Sequence, residues 1–209
     1  MNISVFGLGY VGAVVTGCFA RNGHTVVGVD VRQSKVDMLN QGVSPIVEPG
    51  LAELIAEGRQ AGRIWGTISA EDAVLFTDIS LICVGTPSTV EGGLTTDYIE
   101  GVCGEIGAAL AKKDSYHVVV DRSTILPGTV EEKMIPILER ASGKKAGADF
   151  GVAMNPEFLR ESSAIRDFDE PPKTVIGQFD ERSGDVVAQL YEGLAAPMFR
   201  PSIKVAELV

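Results

Sequence analysis

Residues 3–12 read Ile3-Ser4-Val5-Phe6-Gly7-Leu8-Gly9-Tyr10-Val11-Gly12, an apolar run that breaks into three glycines at G-x-G-x-x-G spacing. Such a spacing alone carries little weight in a chain with 24 glycines among 209 residues. The context gives it force. Gly7 permits the tight turn out of a strand, Gly9 lets the backbone approach a pyrophosphate, and Gly12 lets a helix pack closely on the sheet. Residues 10–22 then form the helix whose N-terminal amides receive the phosphates. Val26 to Val29 make a second buried strand, and Asp30 follows Gly12 by 18 residues, where a carboxylate accepts hydrogen bonds from an adenosine ribose. A plain glycine turn with Asp30 as an ordinary strand end would need the same context by coincidence. Asp30 repels a 2′-phosphate and favours NAD, although Arg32 can neutralise one, so the pair argues for NAD over NADP without closing the question.

Around this core the chain alternates short β-branched runs with helical patterns, which predicts an α/β fold: a doubly wound, mainly parallel, Rossmann-like sheet with helices on both faces. Expected strands are 2–6, 25–30, 79–84, 117–121, 151–154 and 173–177, with another near 197–201. Helical patterns occupy 10–22, 32–41, 49–60, 96–112, 128–141 and 181–194, and 42–50, with Pro45 and Pro49, is a loop. The whole of 1–209 is expected to be one cofactor domain, 1–201 its core and 202–209 the first turn of a longer helix.

Net charge is −10, which argues against nucleic acid or an anionic membrane as partner. No run approaches 18 apolar residues and no basic leader precedes the first strand, so the expectation is a cytoplasmic protein without a membrane span. Cys18, Cys83 and Cys103 are scattered through apolar segments and read as small buried hydrophobes; no metal site is expected. His24 and His117 have no ligand partner at metal spacing and read as turn or strand-end residues.

The other polar motifs sit where strands end. Thr86, in Cys83-Val84-Gly85-Thr86-Pro87, either borders a cofactor cleft or caps a turn. Ser123 and Thr124, ahead of Pro127-Gly128, either cap the next helix or hold a water or substrate oxygen. In Asn155-Pro156-Glu157-Phe158-Leu159-Arg160-Glu161 two carboxylates lie four apart. If that stretch is helical, Glu157 and Glu161 share a face as an acid and base pair, the plainer alternative being a solvated helix face.

Together, the glycine fingerprint, Ser44-Pro45-Ile46-Val47-Glu48-Pro49-Gly50-Leu51, the Cys83–Pro87 and Arg122–Thr129 motifs and Asn155–Glu161 resemble the nucleotide-sugar 6-dehydrogenases, which include UDP-glucose and GDP-mannose 6-dehydrogenase. The resemblance runs from Met1 to Val209 in order. Residues 44–51, 58–63 and 142–147 look most like the GDP-mannose branch, which serves alginate synthesis. The resemblance implies a four-electron oxidation of a sugar C6 alcohol to a carboxylate by two NAD+, through a cysteine thiohemiacetal and thioester. It also implies that Tyr10, Val11, Asp30, Lys35, Thr86 and Thr124 contact NAD, and that Thr124 borders the reacting carbon. Glu157 would activate the hydrolytic water, while Phe158, Leu159 and Glu161 would meet the nucleotide sugar. The family's nucleophilic cysteine has no match at Cys18, Cys83 or Cys103. The expectation is therefore the N-terminal NAD-binding domain of such an enzyme, inactive alone, whose full-length form is a homodimer or higher homo-oligomer. A UDP-glucose enzyme, another Rossmann dehydrogenase such as a 3-hydroxyacid type, and a noncatalytic NAD-binding module are the alternatives.

Overall fold

The chain is seen in a computed structural model that describes residues 1–89 and 92–209. Six parallel strands form the centre, in chain order β1 (Asn2–Phe6), β2 (Thr25–Val29), β3 (Ile64–Thr67), β4 (Ile79–Ile82), β5 (Val118–Asp121) and β6 (Gly151–Met154). A two-residue edge strand, β8 (Gly177–Gln178), runs antiparallel to β6, and the sheet order is β3-β2-β1-β4-β5-β6-β8. A separate parallel pair joins β7 (Thr174–Val175) to β9 (Met198–Phe199). The order reverses direction between β1 and β4, the switch point where a doubly wound sheet opens a crevice at its carboxyl edge.

Alternation along the buried strands sends side chains to two cores. Val118 and Val120 join Ile3, Val5 and Leu81 on one face, covered by α1 (Tyr10–Arg21), α3 (Leu51–Gln60), α7 (Ala164–Asp169) and α8 (Glu181–Gln189). Val119 joins Phe6, Val27, Ile82 and Val152 on the other, under α4 (Ala70–Phe76), α5 (Asp97–Leu110) and α6 (Ile135–Ser142). A π-helical turn, Val130–Met134, leads into α6, while α2 (Gln33–Asn40) packs beside β3 and a single turn, α9 (Ile203–Ala206), ends the fold. On α1, Phe19 is fully buried with its ring edge-on to Phe168 and Tyr191, which ties the first helix to the last third of the chain. Side-chain caps start α4 (Ser69) and α8 (the Asp180–Ser183 capping box).

Two elements went unexpected and three expectations need correction. Ile64–Thr67 is a strand and Ala70–Phe76 a helix, although neither was expected. Trp65-Gly66 interrupts the apolar pattern, and pairing with Val26–Val29 supplies what propensity does not. The expected strand 173–177 is two short ones, because Thr174–Val175 pairs with β9 and Gly177–Gln178 turns to pair with β6. Residues 190–194, expected to continue α8, leave it in turns closed by Gly193 at φ +89°. Residues 155–160 are not helical, so Glu157 and Glu161 do not share a helix face. Pro156 biases Asn155 toward extended backbone, Glu157 takes the Leu159 amide on its own carboxylate (2.6 Å), and Asp167 takes the Arg160 amide (3.0 Å).

Candidate functional site

Strand register aligns the five exits that carry the motifs. Phe6 lies opposite both Val29 and Ile82, Ile82 opposite Asp121, and Asp121 opposite Met154, so the residues that follow each form one rim. Backbone bonds carry the ladder past the strands: Gly7 N–H donates to Val29, Cys83 to Phe6, Arg122 to Ile82 and Asn155 to Asp121, all at 2.7–2.9 Å.

At this rim the fingerprint glycines play three separate parts. A Cβ on Gly12 would stand 1.8 Å from the Gly7 carbonyl oxygen, so only glycine lets α1 approach the β1 turn. Gly7 has φ +95°, and a Cβ there would press on the Cys83 carbonyl at 2.7 Å. A Cβ on Gly9 would meet nothing within 4 Å, because it would point into the crevice. Gly9 is also the N-cap of α1 and supplies no side-chain cap, which leaves the first-turn amides facing open space. That combination is what a pyrophosphate requires.

Two cavities meet at Gly9, Cys83, Val84 and Gly85. The larger, about 430 Å³, is lined by Asp30, Arg32, Lys35, Ile68, Tyr98 and Val102 among others. Asp30 is oriented within it: one carboxylate oxygen accepts from Leu8 N–H (2.8 Å) and the other from Arg32 N–H (2.9 Å), leaving lone pairs for a diol. Lys35 Nζ donates to the Leu8 carbonyl (2.7 Å) and lies 3.6 Å from the Asp30 carboxylate. Exposed Ile68 and Tyr98 and half-buried Val102, beside a placed carboxylate, suit an adenosine. The smaller cavity, about 290 Å³, is lined by Tyr10, Val11, Thr86, Arg122, Ser123, Thr124 and Glu157. Thr86 Oγ1 donates to the Thr124 carbonyl (2.6 Å), which locks two strand exits together, and Thr124 itself is exposed to the cavity.

The structure thus gathers Gly7, Gly9, Tyr10, Val11, Asp30, Lys35, Thr86, Thr124 and Glu157 along one crevice, with Gly12 just beneath it. Phe158 and Leu159 stand further along, half-buried beside Glu157; Lys173 Nζ lies 5.0 Å above the Phe158 ring, and Leu159 packs on the core. Glu161 is exposed on the turn before α7.

Sequence reasoning missed a buried cluster behind the smaller cavity. Arg122, Asn155 and Tyr191 are each at least nine-tenths buried, Arg122 Nη1 donates to Tyr191 Oη (2.5 Å) and to Asn155 Oδ1, and Asn155 Nδ2 donates to the Val175 carbonyl (2.8 Å). Arg122 and Asn155 were visible in motifs, but Tyr191 lies in no motif and is held beside them by packing against Phe19. Burial pushes the thiols of Cys18 and Cys83 up to about 12 and that of Cys103 upward as well, so none is poised as a nucleophile. Among the described residues no His, Cys, Asp and Glu side chains group as a metal site, and no helix is long and apolar enough to cross a membrane.

Residues 1–195 match the model of the UDP-glucose/GDP-mannose dehydrogenase family, NAD binding domain. Over all 209 residues the chain is 59% identical to the GDP-mannose 6-dehydrogenase of Pseudomonas syringae pv. tomato, covering 48% of that protein. Among solved structures, a ternary complex of GDP-mannose dehydrogenase from Pseudomonas aeruginosa superposes with TM-score 0.98 at 57% identity, over all of this chain and 48% of that one. A UDP-glucose dehydrogenase from Pyrobaculum islandicum gives 0.94 at 41%, over 99% and 47%. The chain spans about half the length of the curated relatives it matches.

Proposed function

The chain belongs to the UDP-glucose/GDP-mannose dehydrogenase family, as its NAD-binding domain, and from that premise we propose that it is the N-terminal half of a GDP-mannose 6-dehydrogenase serving alginate-type polysaccharide synthesis. The observation that carries this is the pair of cavities joined at Gly9, one furnished for adenosine by Asp30 and the other walled by Thr86, Thr124 and Glu157. The extent of the likeness to GDP-mannose enzymes, 59% against 39% for a UDP-glucose enzyme from Haloferax volcanii, supports that branch.

In this reading the α1 amides hold the pyrophosphate, Asp30 and Lys35 the adenosine ribose, and the smaller cavity the nicotinamide end. Bound NAD+ supplies the hydride acceptor, and the overall change is R–CH2OH + 2 NAD+ + H2O → R–COO− + 2 NADH + 3 H+. Thr124 borders the reacting carbon, its backbone fixed by the Thr86 hydroxyl. Glu157 takes the proton of the hydrolytic water, and Phe158, Leu159 and Glu161 receive the nucleotide sugar. With all three thiols buried and raised in pKa, the covalent step falls to a cysteine in the other half of the enzyme. The chain alone binds NAD and completes no oxidation.

The test is turnover by the full-length protein. Two NADH per GDP-mannose, with UDP-glucose slower by at least about 100-fold in kcat/KM, bears the reading out; the reverse preference assigns the UDP-glucose activity, and no turnover of either leaves an NAD-binding module. For the 209-residue chain, calorimetry should show NAD binding and a far weaker response to NADP. Asp30→Ala should weaken NAD about 10- to 100-fold, the worth of hydrogen bonds to a charged acceptor, and narrow the gap to NADP.

A further inference from the structure

The loop 42–50 lines neither cavity, yet its Glu48 is only 7% exposed and accepts three hydrogen bonds. Its Oε2 accepts from Tyr10 Oη (2.5 Å) and from Ser162 N–H (2.9 Å), and its Oε1 accepts from Ala164 N–H (2.9 Å). Tyr10 Oη also approaches the Arg160 carbonyl at 3.3 Å. Ser162 has φ +69°, the one positive φ among described residues other than glycine, and Glu48 holds its amide in that turn. The carboxylate therefore clamps the end of the Glu157–Glu161 segment, whose own backbone is otherwise irregular.

Tyr10 belongs to both sides of this arrangement. It is the first residue of α1, so its amide faces the phosphate position, while its side chain reaches Glu48 and Arg160. Because Gly9 gives α1 no side-chain cap, a bound pyrophosphate would provide the missing cap and stiffen the turn that carries Tyr10.

We propose that Tyr10 and Glu48 link the two ligand sites, so that NAD in the crevice orders residues 157–164 and prepares them for the nucleotide sugar. Glu48 is then a positioning residue, and the gain is entropic: the first ligand bears part of the ordering the second would otherwise require. Linkage makes the effect reciprocal, so the nucleotide sugar tightens NAD by the same factor. The inference rests on the cofactor and sugar sites proposed above.

Hydrogen exchange on the 209-residue chain, with NAD binding followed by calorimetry on the same samples, tests it. The expected result is about tenfold slower exchange across 157–164 when NAD is bound. Glu48→Gln should bind NAD within about threefold of the unsubstituted chain and lose that slowing. Tyr10→Phe, which removes only the hydroxyl, should lose it too, and the double variant should lose no more than either single one; if Glu48→Gln does not fold, Tyr10→Phe decides. A merely structural Glu48 would change exchange equally with and without NAD. The proposal is overturned if NAD binds and 157–164 does not respond, or if the response survives Tyr10→Phe. A chain that binds no NAD overturns this link together with the function on which it rests.

Discussion

A methyl group added at Gly9 should leave the domain stable and remove its NAD binding, whereas the same methyl at Gly12 should cost a large share of its stability. The two positions are three residues apart in one motif, but their surroundings are opposite. At Gly9 the new Cβ would enter the crevice without touching protein, and φ −76° suits any residue. Stability falls by about 1 kcal/mol at most, from a poorer N-cap. The pyrophosphate, however, loses its contact distance to the α1 amides, and affinity drops by at least about 100-fold, roughly 3 kcal/mol. At Gly12 the Cβ would lie 1.8 Å from the Gly7 carbonyl oxygen and 3.3 Å from Val5 Cγ1. The obstacle is backbone, so no rotamer relieves it, and α1 must lift from the sheet at a cost above about 3 kcal/mol. That is a large share of the roughly 5–15 kcal/mol that holds a domain of this kind together. Thermal melts and NAD titrations of Gly9→Ala and Gly12→Ala separate the two. Equal loss of stability in both would refute this division of roles.

Asp121→Val should stabilise the chain, and by more as pH rises. Asp121 is fully buried at the end of β5, and the amide and hydroxyl of Ser123 approach its carboxyl without reaching good hydrogen-bond geometry. Burial pushes its pKa up to about 8, and the neighbouring Ser123 offsets only part of that. His117, one strand length away and also fully buried, is driven the other way, down to about 3, by burial and by the charge of Lys113. Its ring is held neutral: Nδ1 donates to the Thr77 carbonyl (3.0 Å), and Nε2 therefore accepts from Ser80 Oγ (2.7 Å).

The signs follow from which state binds the proton. Between about pH 4 and 8 the folded chain keeps a proton on Asp121 that the unfolded chain has released, so this group makes stability fall as pH rises. Between about pH 3 and 6.5 the unfolded chain protonates His117 and the folded chain does not, so that group makes stability rise with pH. The two cancel from about pH 4 to 6.5, and Asp121 acts alone from 6.5 to 8. Removing the carboxyl exposes the histidine limb. The stability gap between Asp121→Val and the unsubstituted chain should widen from near zero at pH 4 to about 5 kcal/mol at pH 8, at roughly 1.4 kcal/mol per pH unit. Denaturant unfolding across that range measures it; a gap independent of pH would show that Asp121 ionises freely in the fold.

Most of the sheet and the crevice were legible because their signals are local. Ile3–Phe6 is apolar and followed by glycines whose spacing matches the turn they must make, Val118–Val120 is β-branched throughout, and Asp30 stands at a fixed distance from the fingerprint. Thr86 and Thr124 were visible as hydroxyls at strand ends, but whether they met each other was a matter of register. The same holds for Glu157: its place beside Thr124 comes from the β5–β6 pairing and not from any periodicity of its own segment.

By itself, then, the sequence determined the doubly wound class, the dinucleotide turn and its acidic partner, since backbone sterics and hydrophobic alternation act over a few residues. Tertiary structure decided what depends on distant partners. Ile64–Thr67 is a strand only because β2 offers it an edge, 173–177 divides because two neighbours compete for its amides, and Asn155–Glu161 escapes a helix because side chains take the amides a helix would use. Glu48 meets Ser162 across 114 residues of chain, and Arg122 meets Tyr191 across 69. No local propensity encodes such contacts; they form because a buried polar group gains from a partner what burial took from it in water.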